Sequence, residues 1–305
     1  MTVAIQVLVL VMVLALAPLF PGVVQRTKSL LTGRRGPPVL QLYADLAKLW
    51  RKGAVYGATT SLVFRLAPAI FAGTTLVAAC LLPLDGGGAP LRFAGDVVAF
   101  AGLLALGRFA LVLAALDTGS SFEGMGASRE ATFGSLVEPG LFLCFAALAI
   151  ATGSTSLTTM LGRPLAAVWT AAAPALVLVA ASLFVLTLAE NGRVPVDDPA
   201  THLELTMIHE VMVLDHSGPD LALILYAGAV KLTVFGAMLV SLMIPRGGLG
   251  LIVSVAVLVA GLTAMAVAVG VVEAVMARLR LIRIPQFLVA ASVLATFAIM
   301  LLLSA

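Results

Sequence analysis

The sequence predicts an all-α polytopic membrane protein of about eight transmembrane helices, with an amphipathic helix on one face after the first span. Three observations carry that expectation. Of 305 residues, 61% are hydrophobic and only 11% charged, against about 25% charged in an ordinary soluble domain. Mean hydropathy is +1.14, so much of the chain needs lipid rather than water as its solvent. The apolar residues are also gathered into runs of about 20, the length that crosses ~30 Å of hydrocarbon.

Taken in order, the runs fall at approximately 3–21, 62–84, 95–116, 134–153, 165–189, 220–244, 249–276 and 285–304. The first lacks the basic n-region of a secretory signal, and Pro18 follows its only small-x-small site, so a retained span is expected. Glycine and proline interrupt the gaps, as in Gly86-Gly87-Gly88-Ala89-Pro90 and Pro245-Arg246-Gly247-Gly248. Between the first two spans, residues 37–52 read as a helix started by Pro37 and Pro38, with Leu42, Leu46 and Leu49 at helical spacing. Its charges (Asp45, Lys48, Arg51 and Lys52) leave an apolar stripe for the membrane or for protein. Residues 201–214 read as a short helix, with Thr201 and Glu204 spaced as a capping box.

Bases set the orientation. Loops after odd-numbered spans hold twelve: Arg26, Lys28, Arg34, Arg35, Lys48, Arg51, Lys52, Arg129, Arg193, Arg278, Arg280 and Arg283. Loops after even-numbered spans hold three: Arg92, Arg163 and Arg246. By the positive-inside rule the odd loops are cytoplasmic and both termini face outward. The expectation is one membrane domain, 1–305, with cytoplasmic loops 22–61, 117–133, 190–219 and 277–284.

A net charge of +3 gives no footing for nucleic-acid binding. Cys80 and Cys144 stand alone in apolar runs with no C-x-x-C, so no cofactor is expected in this chain. Ionisable groups at bilayer depth are costly and point to function. Arg108 and Lys231 fall near the middles of spans three and six, and Lys231 has no partner within its own span. Glu138 and Glu273 fall near the cytoplasmic ends of spans four and seven; Asp117 and Glu190 close spans three and five. Acids toward the cytoplasm with cations deeper suit a proton-conducting half-channel. The same residues also suit buried ion pairs that fix helix register.

Segment 190–220 holds seven of the fifteen acids and all three histidines (His202, His209, His216). Carboxylates and imidazoles titrate near neutrality when perturbed, so a proton-collecting loop is expected. The histidine spacing is not i, i+4, and Val213 stands where H-E-x-x-H needs its second histidine, so no zinc helix is expected.

The loop AENGRVPVDDP resembles the A-E-x-x-R-x-P-x-D signature of the membrane heel subunit of complex I. RRGPPVLQLYADLAKLWRK and SREATFGSLVEP suit the same family, in the same order. VDDPATHLELTMIHE and the longer spacer ending Asp215-His216-Ser217-Gly218 are closer to the heel subunit of group 4 NiFe hydrogenases, in the formate hydrogenlyase and hydrogenase-4 branch. The resemblance implies a non-catalytic anchor and ion-coupling subunit in the cytoplasmic membrane of a prokaryote. Its implied partners are cytoplasmic NiFe hydrogenase large and small subunits, an iron–sulfur protein and antiporter-like membrane subunits; iron–sulfur clusters and the NiFe centre reside in those partners. It places Arg35, Gly36, Asp45, Arg193, Asp197 and Asp198 in a docking and cavity region. The expected relay is Glu138, Glu190, Glu204, Glu210, Asp215, Lys231, Glu273 and Arg108. A quinone-binding subunit of a complex I-like dehydrogenase, a stand-alone ion transporter and a passive scaffold are the alternatives.

Overall fold

The computed structural model describes residues 3–197 and 207–304. It is a helical bundle with no strand among the described residues: α1 (Val3–Leu16), α2 (Leu19–Leu31), α3 (Gln41–Leu49), α4 (Leu62–Cys80), α5 (Asp96–Asp117), α6 (Ser121–Thr152), α7 (Leu157–Met160), α8 (Pro164–Glu190), α9 (Gly218–Met243), α10 (Leu251–Val275) and α11 (Ile284–Ser304). Eight segments are long and apolar enough to cross a membrane, α1 and α2 together forming the first. The chain is a multi-pass membrane protein. The side carrying the twelve loop bases is called the basic face.

The first span breaks where Pro18 has no N–H to give. Leu14 and Ala15 carbonyls, which residues 18 and 19 would have met, are instead reached by two tyrosines. Tyr226 Oη of α9 donates to Leu14 O at 3.2 Å, and Tyr43 Oη of α3 donates to Ala15 O at 2.6 Å. One kink thereby joins α1, α3 and α9. The amphipathic helix is shorter than predicted. It starts at Gln41 rather than at the prolines, because Pro38 O serves as the acceptor of a turn from Gln41 N. Leu46 is buried and Trp50 is exposed.

α9 is the hub. Of its most apolar window 78% is buried, against 28% for α10 and 22% for α11, so α9 sits inside the bundle while those two lie at its lipid-facing rim. It packs on α2, α3, α4, α8 and α10. The fourth span is longer than its apolar run. Helix α6 begins at Ser121, so most of the expected loop 117–133 is helix, with Glu123 and Glu130 buried against the bundle. The predicted helix over 201–214 is corrected in its described part to a single 3-10 turn, Glu210–Val213. The reason is local: Ile208 and His209 N–H groups donate to Asp197 Oδ2 (3.1 and 3.0 Å) rather than to helix carbonyls. Thr201, His202 and the capping-box acid lie outside the described residues.

Opposite the basic face, Arg246 is 2% exposed. It donates to Leu84 O (2.7 Å), Pro83 O (3.3 Å) and Ser241 Oγ (2.7 Å), tying two loops to the end of α9. Burial lowers its pKa to about 10, against the opposing pull of Asp85. Asp96, fully buried, accepts from Ser156 Oγ (2.9 Å) and Leu157 N (2.6 Å) and so fixes the start of α7.

Candidate functional site

Four charges from four helices meet inside the bundle. Arg108 of α5 donates from Nη1 to Glu190 Oε1 at 2.8 Å, and from Nη2 to Glu138 Oε1 on α6. Lys231 of α9 donates from Nζ to the Glu190 backbone carbonyl at 2.6 Å and lies 2.7 Å from Glu190 Oε2. Lys231 therefore has its partner on another helix, at the last residue of α8. Glu190 sits between two cations, so the depth ordering expected from sequence, acids above and cations below, is replaced by a single neutral layer. Gly134 makes room for it: a Cβ there would lie 2.8 Å from Arg108 Nη1. Burial is uneven. The side chains of Glu190, Lys231 and Arg108 are 4%, 7% and 10% exposed, whereas that of Glu138 is 44% exposed. The cluster reaches the outer wall of the bundle through Glu138.

Toward the basic face a second group continues the first. His209 Nε2 lies 3.3 Å from Glu130 Oε2 of α6, and Nδ1 lies 3.3 Å from Asp197 Oδ2. Arg278 Nη2 meets Asp197 Oδ1 at 3.0 Å. Burial works against a charged Asp197, yet His209, its backbone N–H and Arg278 hold the carboxyl below the usual aspartate range. Burial likewise works against a charged His209, but Glu130 and Asp197 outweigh it and raise the imidazole above its ordinary value. A third group pairs Glu273 with Arg193 (3.4 Å) and Lys28 (3.8 Å), joining the α8–α9 loop to α10 and α2.

These groups border a cavity of about 280 Å³. Arg108, Glu130, Glu190, Arg193, Asp197, His209, Glu210 and Lys231 line its polar side. Pro21, Leu42, Phe71, Leu111, Met212, Ile224 and Leu225 line the rest. Its walls come from α2 to α6, α9, the end of α8 and the loop after it, on the basic side of the bundle.

Of the residues singled out from sequence, the structure brings Arg108, Glu138, Glu190 and Lys231 into contact. Arg193, Asp197 and Glu210 are placed on the same cavity, with Glu273 joined through Arg193. Asp215 stands apart. It is exposed, and its backbone N–H donates to the fully buried Glu123 at 3.0 Å. Asp117 caps the start of α4, accepting from Ser61 N at 2.7 Å. Arg35 is exposed on the basic face, Gly36 packs on Ser29, and Asp45 accepts from Gln41 within α3 at 2.9 Å. Asp198 and Glu204 lie outside the described residues. Sequence reasoning missed Glu130, and it passed over His209 as an individual site. The signal for Glu130 was present: Glu130, Gly134 and Glu138 recur every fourth residue, and the glycine between the acids is where the guanidinium fits. His216 is a different case. Stacked on Phe64 at 3.9 Å and 3% exposed, it is pulled down by burial to a pKa of about 4, against the opposing pull of Asp220 and Asp215. Among the described residues, no group of three or more His, Cys, Asp or Glu side chains is arranged to hold a metal ion.

A multi-pass helical bundle carrying a buried, charge-balanced cluster beside a cavity defines a class of membrane subunit whose ionisable groups are interior rather than peripheral. Within that class, residues 3–304 match the NADH dehydrogenase family, and the chain belongs to it. Hydrogenase-4 component C of Escherichia coli K12 is 37% identical over 237 residues, covering 78% of this chain and 74% of that protein. Formate hydrogenlyase subunit 4 of the same organism is 34% identical over 283 residues, 91% and 90% of the two chains. A component of the NADH-quinone oxidoreductase of Chelativorans is 26% identical over 199 residues, 58% and 56% of the two chains. A chain of the membrane-bound sulfane sulfur reductase, an archaeal respiratory membrane complex, has the same fold, with a TM-score of 0.82 over 98% of both chains at 20% identity.

Proposed function

We propose that this protein is the membrane anchor and ion-coupling subunit of a group 4 NiFe hydrogenase complex of the formate hydrogenlyase type. The basic face would be cytoplasmic and receive the hydrogenase large and small subunits and an iron–sulfur protein, which hold the redox centres. Antiporter-like membrane subunits would lie alongside. One observation carries the reading. Glu190 is held between Arg108 and Lys231 inside the bundle, and the same three side chains line a cavity on the basic side. Buried charges of this kind are weak stabilisers at best, since desolvation cancels most of their attraction. A cluster that also touches a cavity and extends to a half-exposed acid has a use beyond stability. The 34–37% identity to components of two hydrogenase systems favours this assembly over a stand-alone transporter.

The test is proton translocation by the purified complex in proteoliposomes, comparing Lys231→Met and Glu190→Gln with wild type. Hydrogenase turnover that continues while translocation stops supports the reading. Translocation unchanged in both variants leaves an anchor only.

The cavity favours one second reading, a quinone-binding subunit of a complex I-like dehydrogenase. At about 280 Å³ it is near the lower bound of small-molecule sites, about 300 Å³, which is room for a ring and little more. Quinone-dependent activity lost on Leu42→Trp or Ile224→Trp, both narrowing the apolar wall, would select that reading.

A further inference from the structure

His209 lines two spaces, the 280 Å³ cavity and a pocket of about 10 Å³ that also touches Gly134, and Arg108, Glu130 and Glu190 line both. That smaller volume is about one water molecule. Both spaces count His209 among their walls. The ring nitrogens face different acids, Nδ1 at 3.3 Å from Asp197 Oδ2 and Nε2 at 3.3 Å from Glu130 Oε2. Nε2 is buried and makes no hydrogen bond, so its 3.3 Å approach to Glu130 is a contact still to be completed by a small rotation or a water.

The seat of the ring is built for it. Gly192 has φ +56°, and a Cβ there would lie 2.7 Å from His209 Nδ1 and 2.9 Å from Cγ. The backbone N–H of His209 donates to the same Asp197 oxygen at 3.0 Å, which fixes the main chain while leaving the ring its own torsion. Among the described residues, the charges that act on the ring include Glu130 from α6, Asp197 with its Arg278 from the loops, Lys231 from α9, and Glu190. Two acids touch the imidazole directly, while Lys231 opposes them from farther off.

We infer that His209 is the proton-transferring residue between the cavity and the buried Arg108–Glu190–Lys231 cluster, taking protons at Nδ1 from the Asp197 side and releasing them from Nε2 to Glu130. In the step, an O–H bond of a hydronium ion in the cavity breaks as an Nδ1–H bond forms, leaving water and an imidazolium held by the Asp197 carboxylate. The Nε2–H bond then breaks as a Glu130 O–H bond forms. One proton has moved, no electrons have, and the ring is left as the other neutral tautomer. Rotation about the side-chain bonds, or exchange with water in the cavity, restores the first tautomer. The two acids that flank the ring also raise its affinity for protons against the effect of burial.

The inference rests on the coupling function proposed above, and the experiment separates the two. Whole complexes in proteoliposomes are compared as wild type, His209→Gln, His209→Gly and Gly192→Ala, with Lys231→Met and Glu190→Gln as controls. Glutamine still bridges two carboxylates but carries no proton. Proton uptake should fall about 100-fold in His209→Gln, the low end for a lost general acid–base group. The ionisation of the imidazole should vanish from its pH profile. Added imidazole should restore uptake to His209→Gly, more strongly with the more basic substituted imidazoles. Gly192→Ala leaves the titrating group intact but displaces it, and should lose uptake as well, which keeps the test alive if the His209 variants fail to assemble. Wild-type uptake and pH profile in His209→Gln, or an assembled His209→Gly that imidazole does not rescue, overturn the inference. If the Lys231 and Glu190 controls also keep full uptake, the coupling function fails with it; if they lose uptake and His209→Gln does not, only the role of His209 is lost.

Discussion

Removing the Lys231 ammonium asks how much of the bundle depends on its charge balance. Lys231→Met keeps the length and apolar stem of the side chain, so packing within α9 changes little. At 2.7 Å and an effective dielectric near 20, the Lys231–Glu190 attraction is about 6 kcal/mol before desolvation. Because both groups have left water, most of that is already offset, and breaking one side of a buried pair costs about 3–5 kcal/mol. Arg108 still holds Glu190 at 2.8 Å in the variant, which puts the expected loss near 3 kcal/mol, the bottom of that range. Glu190→Gln leaves Lys231 without a carboxylate and Arg108 with Glu138 alone, and belongs near 5 kcal/mol, its top. The double variant strands only part of this, and should be more stable than the sum of the two losses by about 2–3 kcal/mol. Sodium dodecyl sulfate titration of the purified chain in mixed micelles, followed by circular dichroism, measures all four corners of the cycle. Losses that add to within about 0.5 kcal/mol would show that Lys231 and Glu190 do not act on each other, and that charge balance does not hold this layer together.

Three further outcomes are expected. His216 has a folded pKa of about 4 against about 6.5 unfolded, so below pH 6.5 the unfolded chain binds the extra proton. Stability should be complete above that pH and decline as pH falls toward 4, with close to one proton taken up on unfolding. His216→Phe should remove this dependence while keeping the stack on Phe64, as proton uptake across the same titration would report. Arg246→Met leaves Leu84 O and Ser241 Oγ without their 2.7 Å donor, at about 1–3 kcal/mol for each buried group left unpaired. It should speed proteolysis of the 244–250 loop, and equal cleavage rates would refute the anchoring role. Tyr43→Phe removes the donor to Ala15 O and should cost about 1 kcal/mol. Hydrogen exchange should rise in α3 and around residues 15–19, and protection unchanged there would mean that the kink holds itself.

The bundle was legible in the sequence because lipid imposes a one-dimensional rule. A stretch of about 20 apolar residues is visible without knowing its neighbours, and all eight such stretches became helices. The extent of α6 was not legible, since Glu123, Arg129 and Glu130 look like loop residues until a protein interior surrounds them. The depth of Lys231 and Arg108 was readable from position alone. Their common partner was not, because Glu190 reaches them across helix crossings that spacing along one chain does not encode. The seat of His209 depends on Gly192, seventeen positions away, and only the fold reveals that a missing methyl group and an imidazole occupy one place.

The buried guanidinium of Arg246 has a consequence for traffic through the molecule. Between Lys231 and that end of α9, Val234, Phe235, Ala237, Met238, Leu239, Val240 and Leu242 are all buried, and Thr233 and Ser241 give their hydroxyl protons to their own helix. Among the described residues the bundle is thus a blind alley, open at the cavity and corked at the other end. A charge entering from the cavity has no straight bore ahead of it. The polar cluster reaches the side of the bundle at the half-exposed Glu138, so on the proposed coupling function a crossing of the bilayer would be completed by a subunit standing against that wall.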